Sequence, residues 1–132
     1  MRIITNWQEK QKFEAVTEQG DKIIMDGEGS APSPMQLVLA AVGGCSSIDV
    51  VMILEKGRNQ ITDCQCELTA ERAESAPAVF TNINAHYIVT GKDLKESTVE
   101  RACELSINKY CSAALMLKPN VDISYSYEIR NS

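Results

Sequence analysis

The sequence predicts an α+β fold with mostly antiparallel strands, and three observations carry that prediction. Short segments rich in β-branched and aromatic residues, or alternating apolar with polar, recur near the start, in the middle and at the end of the chain; this is the pattern of half-buried strands. Met35 to Leu54 is apolar with a single formal charge, Asp49. Val99, Ala102, Cys103 and Ser106 recur at helical spacing, with Glu100, Arg101 and Glu104 outside them. The predicted order is strands, long helix, two strands, helix, strand, which is neither a βαβ series nor an all-β pattern.

The elements follow in turn. Ile3 to Trp7, Phe13 to Thr17 and Lys22 to Met25 read as an N-terminal β-meander, with Gln19-Gly20-Asp21 as one of its turns. Asp26-Gly27-Glu28-Gly29-Ser30 ends the meander as a loop. Ser33 then suits a helix N-cap and Pro34 the first helical position. The long helix runs to about Lys56, with Gly57 as its expected C-cap. It is apolar nearly all round, so burial on most faces is expected. A chain of this size struggles to surround such a helix, so two copies packing as a dimer are expected.

Ile61 to Arg72 places Cys64, Cys66, Leu68 and Ala70 on one strand face. Val79 to Thr90 places Ile83, Ala85, Tyr87 and Val89 on one face of a second strand, with Gly91 ending the pair. A second helix spans roughly Lys95 to Lys109. Cys111-Ser112 opens a short apolar turn, Ala113 to Leu117, which Pro119-Asn120 stops. Val121, Ile123, Tyr125, Tyr127 and Ile129 then alternate with polar residues as the last strand. No internal repeat and no long linker divides the chain, so 1–132 reads as a single domain.

Composition bounds the function. With 132 residues, 44% apolar and 23% charged, the chain supports a core without disulfide or metal. A net charge of −5 argues against nucleic acid, whose phosphates demand a basic face. Met35 to Leu54 has the length of a membrane span, but Gly43, Gly44, Cys45, Ser46 and Ser47 form a weakly apolar middle and Asp49 would sit unpartnered in hydrocarbon. A buried helix fits better, and no membrane partner is expected. The opening MRIITNWQEK has no apolar run typical of a secretion signal, so a cytoplasmic location with free thiols is expected.

Five cysteines supply the chemistry-bearing residues. Cys45 sits among small residues that leave room for a second group to approach its sulfur. Cys111 lies at the break after the second helix. If that break packs over the small-residue patch, the two sulfurs can meet as a thiol pair. Their separation of 66 residues is no motif, and burial as small core hydrophobes competes with that reading. Cys64 and Cys66 share a strand face but lack a second ligand pair, so no metal is expected; Cys103 reads as core. His86, the only histidine, falls opposite Tyr87 and reads as solvated. Gly27 and Gly29 lack the helix and lysine of a phosphate loop, and no cofactor is expected. Asp49 lies one turn after Cys45 on the same helix face.

Ser33-Pro34-Met35-Gln36-Leu37, Ala40-Ala41-Val42-Gly43-Gly44-Cys45 and, much later, Tyr110-Cys111-Ser112 together resemble the OsmC and organic hydroperoxide resistance (Ohr) family, closest to its YhfA-like branch. The resemblance covers the whole chain, including element order and the closing strand. It implies an intertwined homodimer with two sites at the subunit interface. It also implies a peroxidatic cysteine at Cys45 and a resolving cysteine at Cys111, with a small organic hydroperoxide as substrate and a thiol or lipoyl reductant. Two positions depart from the pattern. Active members carry a glutamate where Met35 stands, and an arginine where Gln8, Glu9, Lys10 and Gln11 stand. The arginine lowers the thiol pKa and the glutamate holds it, and a lysine lacks its planar fork.

Two functions remain in competition on these grounds. One is a thiol-dependent redox protein, a weak or specialised organic hydroperoxide reductase using Cys45 and Cys111. The other is a non-enzymatic protein binding an apolar or thiol-reactive ligand in a dimer cleft lined by Met35, Val38 and Val42, since Met35 makes that cleft more apolar. A scaffold with inert thiols is the plainer third.

Overall fold

A computed structural model describes residues 1–132. It shows six strands and three helices in the order β1 (Ile3–Glu9), β2 (Lys12–Thr17), β3 (Lys22–Asp26), α1 (Pro34–Lys56), β4 (Gln60–Arg72), β5 (Phe80–Lys92), α2 (Glu96–Leu105), a π-helical turn (Ser106–Tyr110), α3 (Ser112–Leu117) and β6 (Asp122–Asn131). The α+β class and the order of the strands and two main helices are those expected; the second helix ends earlier, at Leu105, and Ser112–Leu117, expected as a short turn, is a helix. The chain divides into two compact units, residues 1–39 and 40–132.

The first unit holds the antiparallel meander β1-β2-β3. Register puts Trp7 opposite Phe13 and Phe13 opposite Met25, on one face of the sheet. All of β1 is exposed, Trp7 at 66%. The loop after β3 is tied by the Asp26 carboxylate, which accepts the Glu28 amide at 2.8 Å and the Ser30 hydroxyl. These bonds hold the Asp26 carboxyl below the usual carboxylate range, the Ser30 bond first.

The second unit is the sheet β4-β5-β6 with the helices. β5 is central, antiparallel to β4 and parallel to β6. The parallel pair is bridged by α2, the π turn and α3, as a parallel crossover requires. Its core takes the inward face of β5 (Ile83, Ala85, Tyr87, Val89) together with Val99, Ala102, Cys103 and Ile107, all 0% exposed.

Three local expectations are corrected. The Ser33 cap is present: its Oγ accepts the Gln36 amide at 3.1 Å while the Gln36 side chain accepts the Ser33 amide at 2.9 Å. At the other end, however, the left-handed residue is Arg58 (φ 62°), not Gly57. The Gly57 amide donates to the Ile53 carbonyl, and the Asn59 amide and side chain both donate to the Leu54 carbonyl, which closes the helix end. Gly91 does not end β5 but lies inside it, opposite Ile61. A Cβ there would run into the Gln60 carbonyl and the Ile61 backbone, so glycine is required by close approach of β4. Finally, α1 is not buried on most faces within its chain. Only Val42, Gly43, Ser46, Val50 and Leu54 are buried, one stripe at near-fourfold spacing. Ile48 is 61% and Met52 50% exposed. The helix is long and apolar enough to cross a membrane by length and composition.

Candidate functional site

The site grows from two segments. The first is the middle of α1. Gly43 faces the Leu68 side chain so closely that any Cβ would overlap it. A glycine there lets α1 approach β4, and it fixes the rotation that turns Cys45 to the other side of the helix. The second is the break after α2. There the helix widens into the π turn, and Cys111 ends it with extended backbone (φ −72°, ψ 108°) while capping α3.

These segments bring the two expected cysteines together. Cys45 lies near enough to Cys111 to help raise the Cys111 thiol pKa. Their surroundings differ. Cys45 is half-buried, whereas Cys111 is 0% exposed. Burial, followed by the neighbouring Cys45 sulfur, pushes the Cys111 thiol up; the Ala114 amide, donating to its Sγ at 3.4 Å, pulls it partly back down. Cys111 is therefore a protonated thiol at neutral pH.

Behind the pair runs a buried polar network. The Tyr87 hydroxyl donates to Ser46 Oγ at 2.6 Å, and Ser46 Oγ donates to the Gly43 carbonyl at 3.3 Å. The Ser106 hydroxyl donates to the Ser46 carbonyl at 2.8 Å and lies 3.3 Å from Asp49 Oδ2. No buried side-chain nitrogen or oxygen lacks a partner, as a stable buried network requires. Asp49, one turn after Cys45 on the same helix, joins this network through Ser106. Tyr87, Ser46 and Ser106 were not singled out from sequence. Their signal was a serine on the otherwise apolar stripe Val99, Ala102, Cys103, Ser106.

The other candidates fall elsewhere. No group of His, Cys, Asp or Glu has the geometry to hold a metal ion. Cys64 and Cys66 line the half-buried face of β4, and Cys103 is fully buried. Burial pushes Cys66 up to about 11 and Cys103 to about 12. His86 is not simply solvated: it is half-buried, with Nδ1 2.7 Å from Ser126 Oγ on the neighbouring strand. Val42, expected to line an apolar cleft, is fully buried. A hollow of about 430 Å³ lies instead beside Asp49, lined by Met52, Ile53, Lys56, Leu105 and Tyr110.

These thiols predict an alkaline limit to stability. Their folded pKa values lie above the ordinary thiol value of 9.0. The unfolded state therefore loses protons first, and stability is full below about pH 9 and lost as pH rises toward 12. The melting temperature is expected to fall steadily from pH 8.5 to pH 10.5, and less steeply in Cys103→Ala. A flat profile over that range in differential scanning calorimetry would contradict this.

With this geometry in view, similarity to known proteins decides the family. A sequence model of the family described as OsmC-like protein matches residues 27–126. The chain belongs to the OsmC-like family. It is similar to Protein YhfA of Escherichia coli K12, 53% identical over 98% of both chains, which fits the YhfA-like branch. An Aquifex aeolicus VF5 protein of solved structure shares 30% identity with this OsmC-like chain, over 99% of it and 96% of its own length, at a TM-score of 0.90. A Legionella pneumophila organic hydroperoxide resistance protein OsmC shares the fold at a TM-score of 0.71 with 16% identity, covering 97% of each chain.

Proposed function

We propose that this OsmC-like chain is a thiol-dependent redox protein that reduces organic hydroperoxides, Cys45 attacking and Cys111 resolving. The supporting observation is the asymmetry of the pair: a half-buried thiol in contact with a fully buried, protonated one. In the first step the Cys45 thiolate attacks the terminal peroxide oxygen. The O–O bond breaks, the alcohol leaves with a proton, and Cys45 becomes a sulfenic acid. In the second, the Cys111 sulfur attacks the Cys45 sulfur, water leaves, and a disulfide remains. Two electrons from a dithiol, such as a dihydrolipoyl group, restore both thiols. The Legionella relative's description as a hydroperoxide resistance protein supports the substrate class.

The proposal includes a homodimer in the cytoplasm, in which a second copy covers the exposed apolar side of α1. With Met35 at the start of α1 and no arginine among Gln8 to Gln11, turnover is slow compared with a site that has an arginine to hold the thiolate.

The test uses wild-type protein with dithiothreitol or dihydrolipoamide and cumene hydroperoxide. Peroxide is expected to disappear above the rate of reductant alone. Protein trapped without reductant is expected to lose two hydrogens as one Cys45–Cys111 disulfide. The apolar hollow beside Asp49 favours a second reading, a non-enzymatic carrier of an apolar ligand. Peroxide loss no faster than with reductant alone would sink the redox reading and leave the carrier.

A further inference from the structure

Ser106 is bonded to both thiol-bearing segments. Its hydroxyl donates to the backbone carbonyl of Ser46, the residue after Cys45, at 2.8 Å. Its own carbonyl accepts the Cys111 amide at 2.7 Å. The hydroxyl carries one proton, and of its two acceptors the Ser46 carbonyl is nearer than Asp49 Oδ2 at 3.3 Å. Two short bonds therefore connect the backbone beside one sulfur to the backbone of the other, through a single residue that is 0% exposed.

The second of these bonds spans five residues, which is π geometry instead of the four-residue step of an α-helix. It is a wider turn with poorer packing, used where a side chain has to be re-aimed. Here the re-aimed side chain is Cys111, which turns inward to Cys45 as the chain leaves the helix. Such a turn needs an anchor to hold its register, and Ser106, its first residue, supplies one.

We infer that Ser106 is a positioning residue for the thiol pair: its hydroxyl clasps the π turn to α1 beside Cys45 and so sets where the Cys111 sulfur meets Cys45. The inference rests on the redox reading above. A disulfide tolerates only a narrow range of Cα separations, below roughly 7 Å. Fixing both backbones to one residue raises the local concentration of one sulfur at the other. Without the hydroxyl, the Ser46 carbonyl keeps its helical partner and the Asp49 carboxylate, only half-buried, turns to water, so the loss falls on the placement of the turn.

The test is an equilibrium one and needs no peroxide. Full-length protein is equilibrated in glutathione buffers, where two cysteines and one oxidised glutathione exchange for one protein disulfide and two reduced glutathiones. The Cys45–Cys111 disulfide is quantified by alkylation and mass spectrometry. Ser106→Ala is expected to lower its equilibrium constant about tenfold, which makes the couple about 30 mV more oxidising. Ile107→Val, a packing change at the next buried residue, is expected to lower the melting temperature while leaving the constant unchanged. An unchanged constant in Ser106→Ala, or an equal drop in Ile107→Val, overturns the clasp alone. A wild type that forms no such disulfide overturns the clasp and the redox reading together. If Ser106→Ala does not fold, amide exchange on the wild type decides. A Cys111 amide as protected as that of Val50 supports the clasp, and one exchanging as fast as that of exposed Ser112 overturns it.

Discussion

Cys45→Ser is expected to bring peroxide consumption down to the rate of reductant alone, a loss on the order of a hundredfold or more, because a serine hydroxyl stays protonated and unreactive without a base. Cys111→Ser is expected to behave differently. Its first turnover stays near the wild-type rate, since the attacking sulfur is untouched. Cys45 then stalls as a sulfenic acid, seen in mass spectra as the gain of one oxygen, and over-oxidises with excess peroxide. The contrast follows from the site. Cys111 is buried, its pKa raised by that burial, and its sulfur faces Cys45; it is poor as a first nucleophile and well placed as a second. Equal losses in both variants at the first turnover, read by stopped-flow under single-turnover conditions, would contradict this division of labour.

The second large effect concerns assembly. Sedimentation equilibrium is expected to give wild type twice the 14.5 kDa of one chain, and Ile48→Glu the single mass at the same micromolar concentration. The side chain of Ile48 is 61% exposed and that of Met52 50%, on a helix whose own chain covers only the stripe from Val42 to Leu54. Covering each such apolar side chain is worth about 1.5–3 kcal/mol. A glutamate in its place would bury an unpaired charge, which costs several kcal/mol or excludes the partner. The fold of one chain should survive, because Ile48 lies outside the buried stripe, and circular dichroism checks this. A wild type of 14.5 kDa would remove the dimer; a wild type that requires detergent to stay in solution would point to lipid as the cover.

The architecture was legible because it is written in periods. Alternation in Cys64 to Ala70 and in Val121 to Ile129 gave strands, and Ser33 with Gln36 gave the start of α1. What escaped depends on neighbours distant in sequence. Gly91 reads locally as a terminator, and only the backbone of Gln60 and Ile61 shows it as a close approach. The one-sided burial of α1 escaped because an all-round apolar pattern states that faces are covered without stating by what. The thiol pair lay in the same category. Spacing alone left Cys45 and Cys111 as core residues or a pair, and resemblance to the family favoured the pair. Their contact comes from the π turn, and a π turn has no local sequence mark. Ser46, Tyr87 and Ser106 were missed for the same reason: their partners lie 41 and 60 residues away.

The central position of β5 has a consequence for synthesis. Its pairing with β4 joins neighbours in the chain, and a growing polypeptide can form that hairpin early. The other edge of β5 waits for β6, whose Ile123 pairs with Ile83 across about forty intervening positions. Until β6 has left the ribosome, β5 presents an unpaired edge rich in Ile, Val and Tyr, a template for wrong partners. The core under that edge includes Tyr87, so the strand at the centre of the sheet stays half-paired until β6 is in place. A chain lacking Asp122–Asn131 would keep that edge unpaired, and a chaperone bound along β5 would have to hold it until β6 arrived.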